Sequence, residues 1–156
     1  MVDKRYNQFI QQQMRNEQPD KEKLISLASL LRRTFGLVVH REAILLFDRE
    51  TDKLKTFASW ITEEQYKEFR LHVPDLLMFI KGKLWIIEID GYVHYVKNSV
   101  QKRDIERDRI YEAANLNWFK IEEWVVLIKL GKKADRSATA AEIWPEIEEK
   151  IEKIME

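Results

Sequence analysis

The sequence predicts a mixed α/β fold of the α+β kind, a mixed sheet flanked by helices, on three observations. Apolar residues recur at helical spacing at both ends of the chain. Between them lie apolar runs rich in β-branched and aromatic residues, which favour strands. The resulting order of helix, strands, helix, strand and helix matches a layered sheet with helices packed on it.

Val2, Tyr6, Phe9, Ile10 and Met14 form the stripe of a first helix, which "EQPDKEK" ends. Asp20 is the expected N-cap of a second helix, with Leu24, Leu27, Ala28, Leu31 and Phe35 on its apolar face and Gly36 at its end. "LVVHREAILLF" reads as a strand that turns at "DRETDK" into "LKTFASW". Thr62 and Gln65 make the pattern of a capping box ahead of a short helix. Strands are expected over Leu71 to Ile80 and Lys83 to Asp90, then a polar connection from Gly91 into a helix over Ser99 to Ala114. Asn115 stands where that helix needs a left-handed cap. "WFKIEEWVVLIKL" reads as one or two further strands. The C-terminal segment places Ile143, Ile147, Ile151 and Ile154 on one helical face, with Pro145 early, near the helix start. No repeat or linker divides the chain, so residues 1–156 are expected to form one domain. Its parts are helices and strands in 1–70, a core in 71–130 and a closing helix in 137–156.

Composition narrows the function classes. The 156 residues are 45% hydrophobic and 35% charged, the balance of a globular chain with a real core. Net charge is zero, so a nucleic-acid partner would need a local basic patch. The absence of cysteine excludes disulfides, thiolate zinc sites and cysteine nucleophiles. The N-terminal residues lack the apolar core of a signal peptide, and no stretch has the length of a membrane span. A cytoplasmic protein with no membrane partner is the expectation.

Three acids interrupt the most apolar part of the chain, "VPDLLMFIKGKLWIIEIDGYVHY". A two-residue turn at Lys81–Gly82 sets Ile80 against Lys83 and Asp75 against Glu88, on one face of the sheet. Strand alternation adds Asp90 to that face. A three-residue bulged loop would instead shift the register by one and move Asp75 off Glu88. The acids then have three readings. They decorate the wet face of a hairpin, they are met by a set of hydrogen-bond donors, or they converge on a hard cation such as Mg²⁺ or Mn²⁺. The near-continuous apolar runs Leu76–Ile80 and Leu84–Ile87 favour a sheet covered on both faces, where unpaired carboxylates are expensive.

The spacing of "PD" before "EID" resembles the core of the PD-(D/E)XK nucleases. The longer run "EIDGYVHY…QKRDIERDRIYEAANLNWFKI" is similar to the very-short-patch-repair-like endonuclease branch, which carries E-x-D-G-x-x-H and then a Q-x-x-D-x-x-R-D helix. Here these residues are Glu88, Asp90, Gly91 and His94, then Gln101, Asp104, Arg107 and Asp108. The resemblance spans Val73 to Ile121 and implies a restriction-endonuclease-like core and phosphodiester hydrolysis. It makes Asp75, Glu88 and Asp90 the metal ligands and His94 a general base or leaving-group acid. The general pattern ends in Lys where this chain has Asp90, which leaves the acid–base role of that Lys without an owner. Glu22 is the best match to an acid that the branch carries on its first helix.

Asp104, Arg107 and Gln101 are expected to brace the site from the following helix. Lys97, Lys102, Arg103 and Arg109 are candidates for phosphate contacts, against the alternative of a solvated helix paired internally with Asp104, Glu106 and Asp108. His40 and His72 are expected to be structural. Trp85, Trp118 and Trp124 are expected in the core, and Trp60 in a loop. The leading reading is a Mg²⁺- or Mn²⁺-dependent endonuclease acting on DNA. The alternatives are a catalytically impaired nuclease-fold module that binds DNA or a protein partner, and a metal-binding structural or regulatory protein.

Overall fold

A computed structural model describes residues 3–15 and 21–156. The expected cap Asp20 and Val2 of the first helical stripe lie outside them. The chain is a mixed α/β fold of two sheets and seven helices among the described residues. The helices α1 (Lys4–Arg15) and α2 (Lys21–Phe35) come first, and Gly36 closes α2 at φ 66° with its amide on the Arg32 carbonyl. Strands β1 (Val38–Arg41), β2 (Ile44–Phe47) and β3 (Leu54–Ala58) follow. "LVVHREAILLF" is thus two strands, not one. Glu42 adopts φ 63° between them, and the chain leaves one sheet for the other at that point.

Thr62 and Gln65 complete both bonds of the capping box on α3 (Glu63–Glu68). The strand expected over Leu71 to Ile80 also divides, into β4 (Arg70–His72) and β5 (Leu76–Ile80). β4 pairs with β2 in the small sheet, whereas β5 joins β1 and β6 (Lys83–Asp90) in the large one. Pro74 stands at the break, where its missing N–H ends the ladder. Lys81 and Gly82 both have positive φ, 52° and 76°, the geometry of a two-residue type I′ turn. The register is the one that turn implies, Ile80 against Lys83 through Leu76 against Ile87.

The polar connection after β6 contains a short helix: α4 (Tyr92–Val96) precedes α5 (Asn98–Ala113). Asn115 caps α5 at φ 56° as expected. β7 (Asn117–Glu122) returns parallel to β6, setting Glu88 beside Lys120 and Asp90 beside Glu122. "EWVVLIK" is a helix, α6 (Glu123–Lys129), not a further strand. Its buried residues Glu123, Trp124, Val126 and Leu127 follow helical spacing, and Val125 and Ile128 face outward, so packing overrides the β propensity of the run. The last helix, α7 (Ala140–Met155), starts at the capping box of Thr139 and Glu142, so Pro145 falls inside it and not at its start.

The large sheet, ordered β1-β5-β6-β7, is covered on both faces. Leu76, Met78 and Ile87 pack under α2 and α7 with Leu27, Leu31, Ile143 and Ile147. The opposite face, through Leu77 and Ile86, meets Ile110 and Tyr111 of α5 and Leu45 and Phe47 of the small sheet. Ile44 and Leu46 on the far side of β2 bury Ile10 of α1 and Ile61. Trp85 and Trp118 belong to these cores and Trp60 is half-exposed in its loop. Among the described residues, no helix is long and apolar enough to cross a membrane.

Candidate metal centre

Strand alternation sends Glu88 and Asp90 to the same side as Leu84 and Ile86, the side that α5 covers. Both carboxylates are buried. Asp75 lies one residue before β5, at the end of the sheet where Glu88 stands. By the register, the Ile89 amide faces Pro74, which has no N–H to return. The Asp75 carboxylate takes that amide instead, accepting from Ile89 N at 2.6 Å. The expected convergence of Asp75, Glu88 and Asp90 is therefore present, and all three line one cleft of about 660 Å³.

The acids are held by α4, α5 and β4. Arg107, 6% exposed, grips Asp90 through two parallel bonds of 3.0 and 3.1 Å. Its Nη1 also lies 3.5 Å from both Glu88 Oε2 and Asp104 Oδ1, and Nε donates to Asp108 Oδ1 at 3.0 Å. Burial opposes the charge on Arg107, but the bonds to Asp90 and the charges of Glu88, Asp90 and Asp108 outweigh it, raising its pKa above the ordinary arginine value. Tyr111, one turn beyond Arg107, donates its hydroxyl to Glu88 Oε1 at 2.8 Å, and burial with the Glu88 charge raises its pKa. His94 Nδ1 stands 2.7 Å from Asp104 Oδ2 and 3.7 Å from Asp90 Oδ1. The helical turn of α4 brings it there, four residues after Asp90.

Among the described residues, the acid and imidazole groups whose donor atoms lie within 4.8 Å of one another are Asp90, His94 and Asp104. That compact set is not the expected one. Asp90 is common to both, but Asp75 is turned to the Ile89 amide and Glu88 to Tyr111 and His72. The two carboxylates suit Mg²⁺ or Mn²⁺, and the imidazole adds a nitrogen donor that Mn²⁺ takes more readily than Mg²⁺. The charge balance points the same way. Asp75, Glu88, Asp90, Asp104 and Glu106 line the cleft against Arg70, Arg103 and Arg107.

His72 is not remote from the site. Its Nε2 lies 3.3 Å from Glu88 Oε1, its ring packs edge-on against Tyr111, and it lines the cleft. Gln101 donates to the Tyr95 carbonyl and so ties α5 to α4 without touching a carboxylate. It lines a smaller cleft of about 320 Å³ on the other side of Asp90, His94 and Asp104, together with Tyr95, Trp124 and Lys120. Of the four candidate phosphate contacts, Arg103 opens on the larger cleft. Arg109 is paired with Glu106 at 2.7 Å and Asp52 at 3.3 Å, which neutralises the charge it would bring to a phosphate. Lys97 and Lys102 are exposed and line neither cleft. Glu22 lines neither cleft and Lys120, which sequence reading passed over, is bonded to Asp108 at 3.2 Å.

Burial, and next the charge of Glu88, push Asp75 well above the ordinary carboxylate range. The folded protein therefore holds the Asp75 proton more tightly than the unfolded chain does. The associated stability is complete below the unfolded carboxyl value, about pH 4, and is lost as pH rises through the folded value. Asp75→Asn keeps an oxygen for the Ile89 amide and has no charge to bury. In EDTA the variant is expected to melt above the parent at neutral pH, with the gap closing toward about pH 4. Melting curves at the two pH values check this, and a variant that melts lower at neutral pH contradicts it.

No family model, curated protein or solved structure matches the chain.

Proposed function

We propose that the cleft is the site of a divalent-metal-dependent endonuclease that hydrolyses phosphodiester bonds in DNA. The observation that carries this reading is the convergence of Asp90, His94 and Asp104 within 4.8 Å, beside Asp75 and Glu88, in a cleft with an excess of acids. A polyanion does not enter such a cleft unless a cation offsets the carboxylates. The likeness of "PD…EIDGYVH…QKRDIERD" to the very-short-patch-repair-like nucleases supports the same chemistry.

Asp90, His94 and Asp104 would hold Mg²⁺ or Mn²⁺. The bound ion supplies charge neutralisation at the phosphate and a more acidic water. With His94 engaged by Asp104 and Asp90, proton transfer falls to His72, whose ring is held against Glu88 in the same cleft. Tyr111 fixes Glu88 in turn, the arrangement of an oriented base. Arg103 at the cleft edge is placed to meet the substrate backbone.

One observation favours the second reading, a DNA- or partner-binding module without turnover. Arg107 already satisfies both oxygens of Asp90. A cleavage assay decides between them, using supercoiled plasmid and labelled single-stranded, duplex, nicked and branched oligonucleotides with Mg²⁺, Mn²⁺ or EDTA. Strand scission with either metal and none in EDTA is the expected result. Salt-sensitive DNA binding in EDTA without scission under any condition selects the binding module.

A further inference from the structure

The ion network around Arg107 carries more charge than it compensates. Glu88, Asp90, Asp104 and Asp108 all lie within 3.5 Å of its guanidinium, which is buried. Among the described residues, the other ammonium or guanidinium bonded to this network is Lys120, on Asp108. Four carboxylates against these two cations leave a formal excess of two negative charges, the charge that one divalent ion offsets. Arg107 thus occupies the middle of the same carboxylates that such an ion would share. Like charges at this spacing in a buried setting would otherwise drive Asp90 and Asp104 apart.

We infer that Arg107 is a resident counter-cation for the metal centre: it holds the ligands together when the site has no ion and competes with the ion for Asp90. The inference rests on the metal-dependent reading above. It makes Arg107 a positioning residue with two opposed effects. The guanidinium pre-organises Asp90 and Asp104, so the fold does not depend on metal. Its charge also weakens metal binding, because a positive charge a few ångströms from a cation repels it more strongly in a partly buried site than in water. A guanidinium cannot relieve this by losing its proton.

The test compares parent, Arg107→Met and Arg107→Lys by thermal unfolding in EDTA and by Mn²⁺ titration followed by calorimetry. Met fills the aliphatic volume of the Arg stem without its charge. The parent is expected to bind one Mn²⁺ per chain and to gain little thermal stability from it. Arg107→Met should melt lower in EDTA, bind Mn²⁺ at least about tenfold more tightly, and recover much of its lost melting temperature when the ion is added. If Arg107→Met does not fold even with Mn²⁺, Arg107→Lys carries the comparison. It keeps the charge but not the two-pronged grip, and should show a lower melting temperature in EDTA with a smaller gain in Mn²⁺ affinity. A purely structural arginine would lower the melting temperature and leave Mn²⁺ affinity unchanged or weaker, which overturns the inference. Absence of Mn²⁺ binding by the folded parent overturns the metal reading itself, and is distinguishable because it needs no variant.

Discussion

Asp90→Asn is expected to lower metal-dependent cleavage of DNA by on the order of a hundred- to a thousandfold while leaving a folded chain. Asp90 is the carboxylate shared by the compact donor set and by Arg107. The amide keeps one oxygen but loses the charge that a hard cation requires. It also turns an NH₂ group toward one arm of the guanidinium, so a stability loss of about 1–3 kcal/mol accompanies the change. Activity is therefore read at a temperature where circular dichroism shows both proteins folded. Glu106→Gln is the matched control. Glu106 lines the same cleft, but its partners are Arg70 and Arg109 at the exposed edge. Its loss should change cleavage by less than about threefold, since exposed pairs contribute little. Cleavage by Asp90→Asn at the parental rate would show that the donor set takes no part in the chemistry.

What sequence could reveal about this site follows the range of each interaction. The register of β5 and β6 was readable because it depends on the two residues Lys81 and Gly82, as the Thr62–Gln65 box depends on four. The positive φ of Asn115 is similarly local. The placement of Asp104 and Arg107 against Asp90, closer than Glu106, followed from helical spacing once the helix was located. The misread elements are those settled by distant contacts. "EWVVLIK" has the composition of a strand, and its packing against α7, α4 and β7 goes with a helix instead. The chain changes sheets at Glu42 and again at Pro74 because β2 pairs with β4 while β1 pairs with β5, and neither partner is visible locally. His72 reached Glu88 through that second crossing. Its position three residues before Asp75 was the available signal. Tyr111 was more accessible, since it lies four residues beyond Arg107 on the same helical face. Lys120 was not, because a parallel register across a helical connection has no turn to fix it.

The second large effect is expected at Glu123, a buried acid that lines neither cleft. Its carboxylate is 1% exposed and meets Lys23 Nζ at 3.0 Å through both oxygens. It also accepts the Ala138 amide at 2.6 Å. One side chain thereby joins α2, the start of α6 and the segment that leads into α7. It also underlies the entry to α4, since a Cβ placed on Gly91 would sit 3.8 Å from Glu123 Oε2. Glu123→Ala strips Lys23 of this carboxylate and leaves the Ala138 amide without its acceptor. A loss of about 3–5 kcal/mol is expected, read as a lower denaturant midpoint with little change in slope. Two causes contribute and a second variant separates them. If the lost ion pair dominates, Lys23→Met combined with Glu123→Leu should be more stable than Glu123→Ala, because an apolar pair needs no compensation. If the lost amide bond dominates, the double variant recovers little, and Glu123→Gln, which keeps an acceptor for Ala138, recovers more. A Glu123→Ala protein that unfolds at the parental midpoint would show that this joint contributes nothing to the fold.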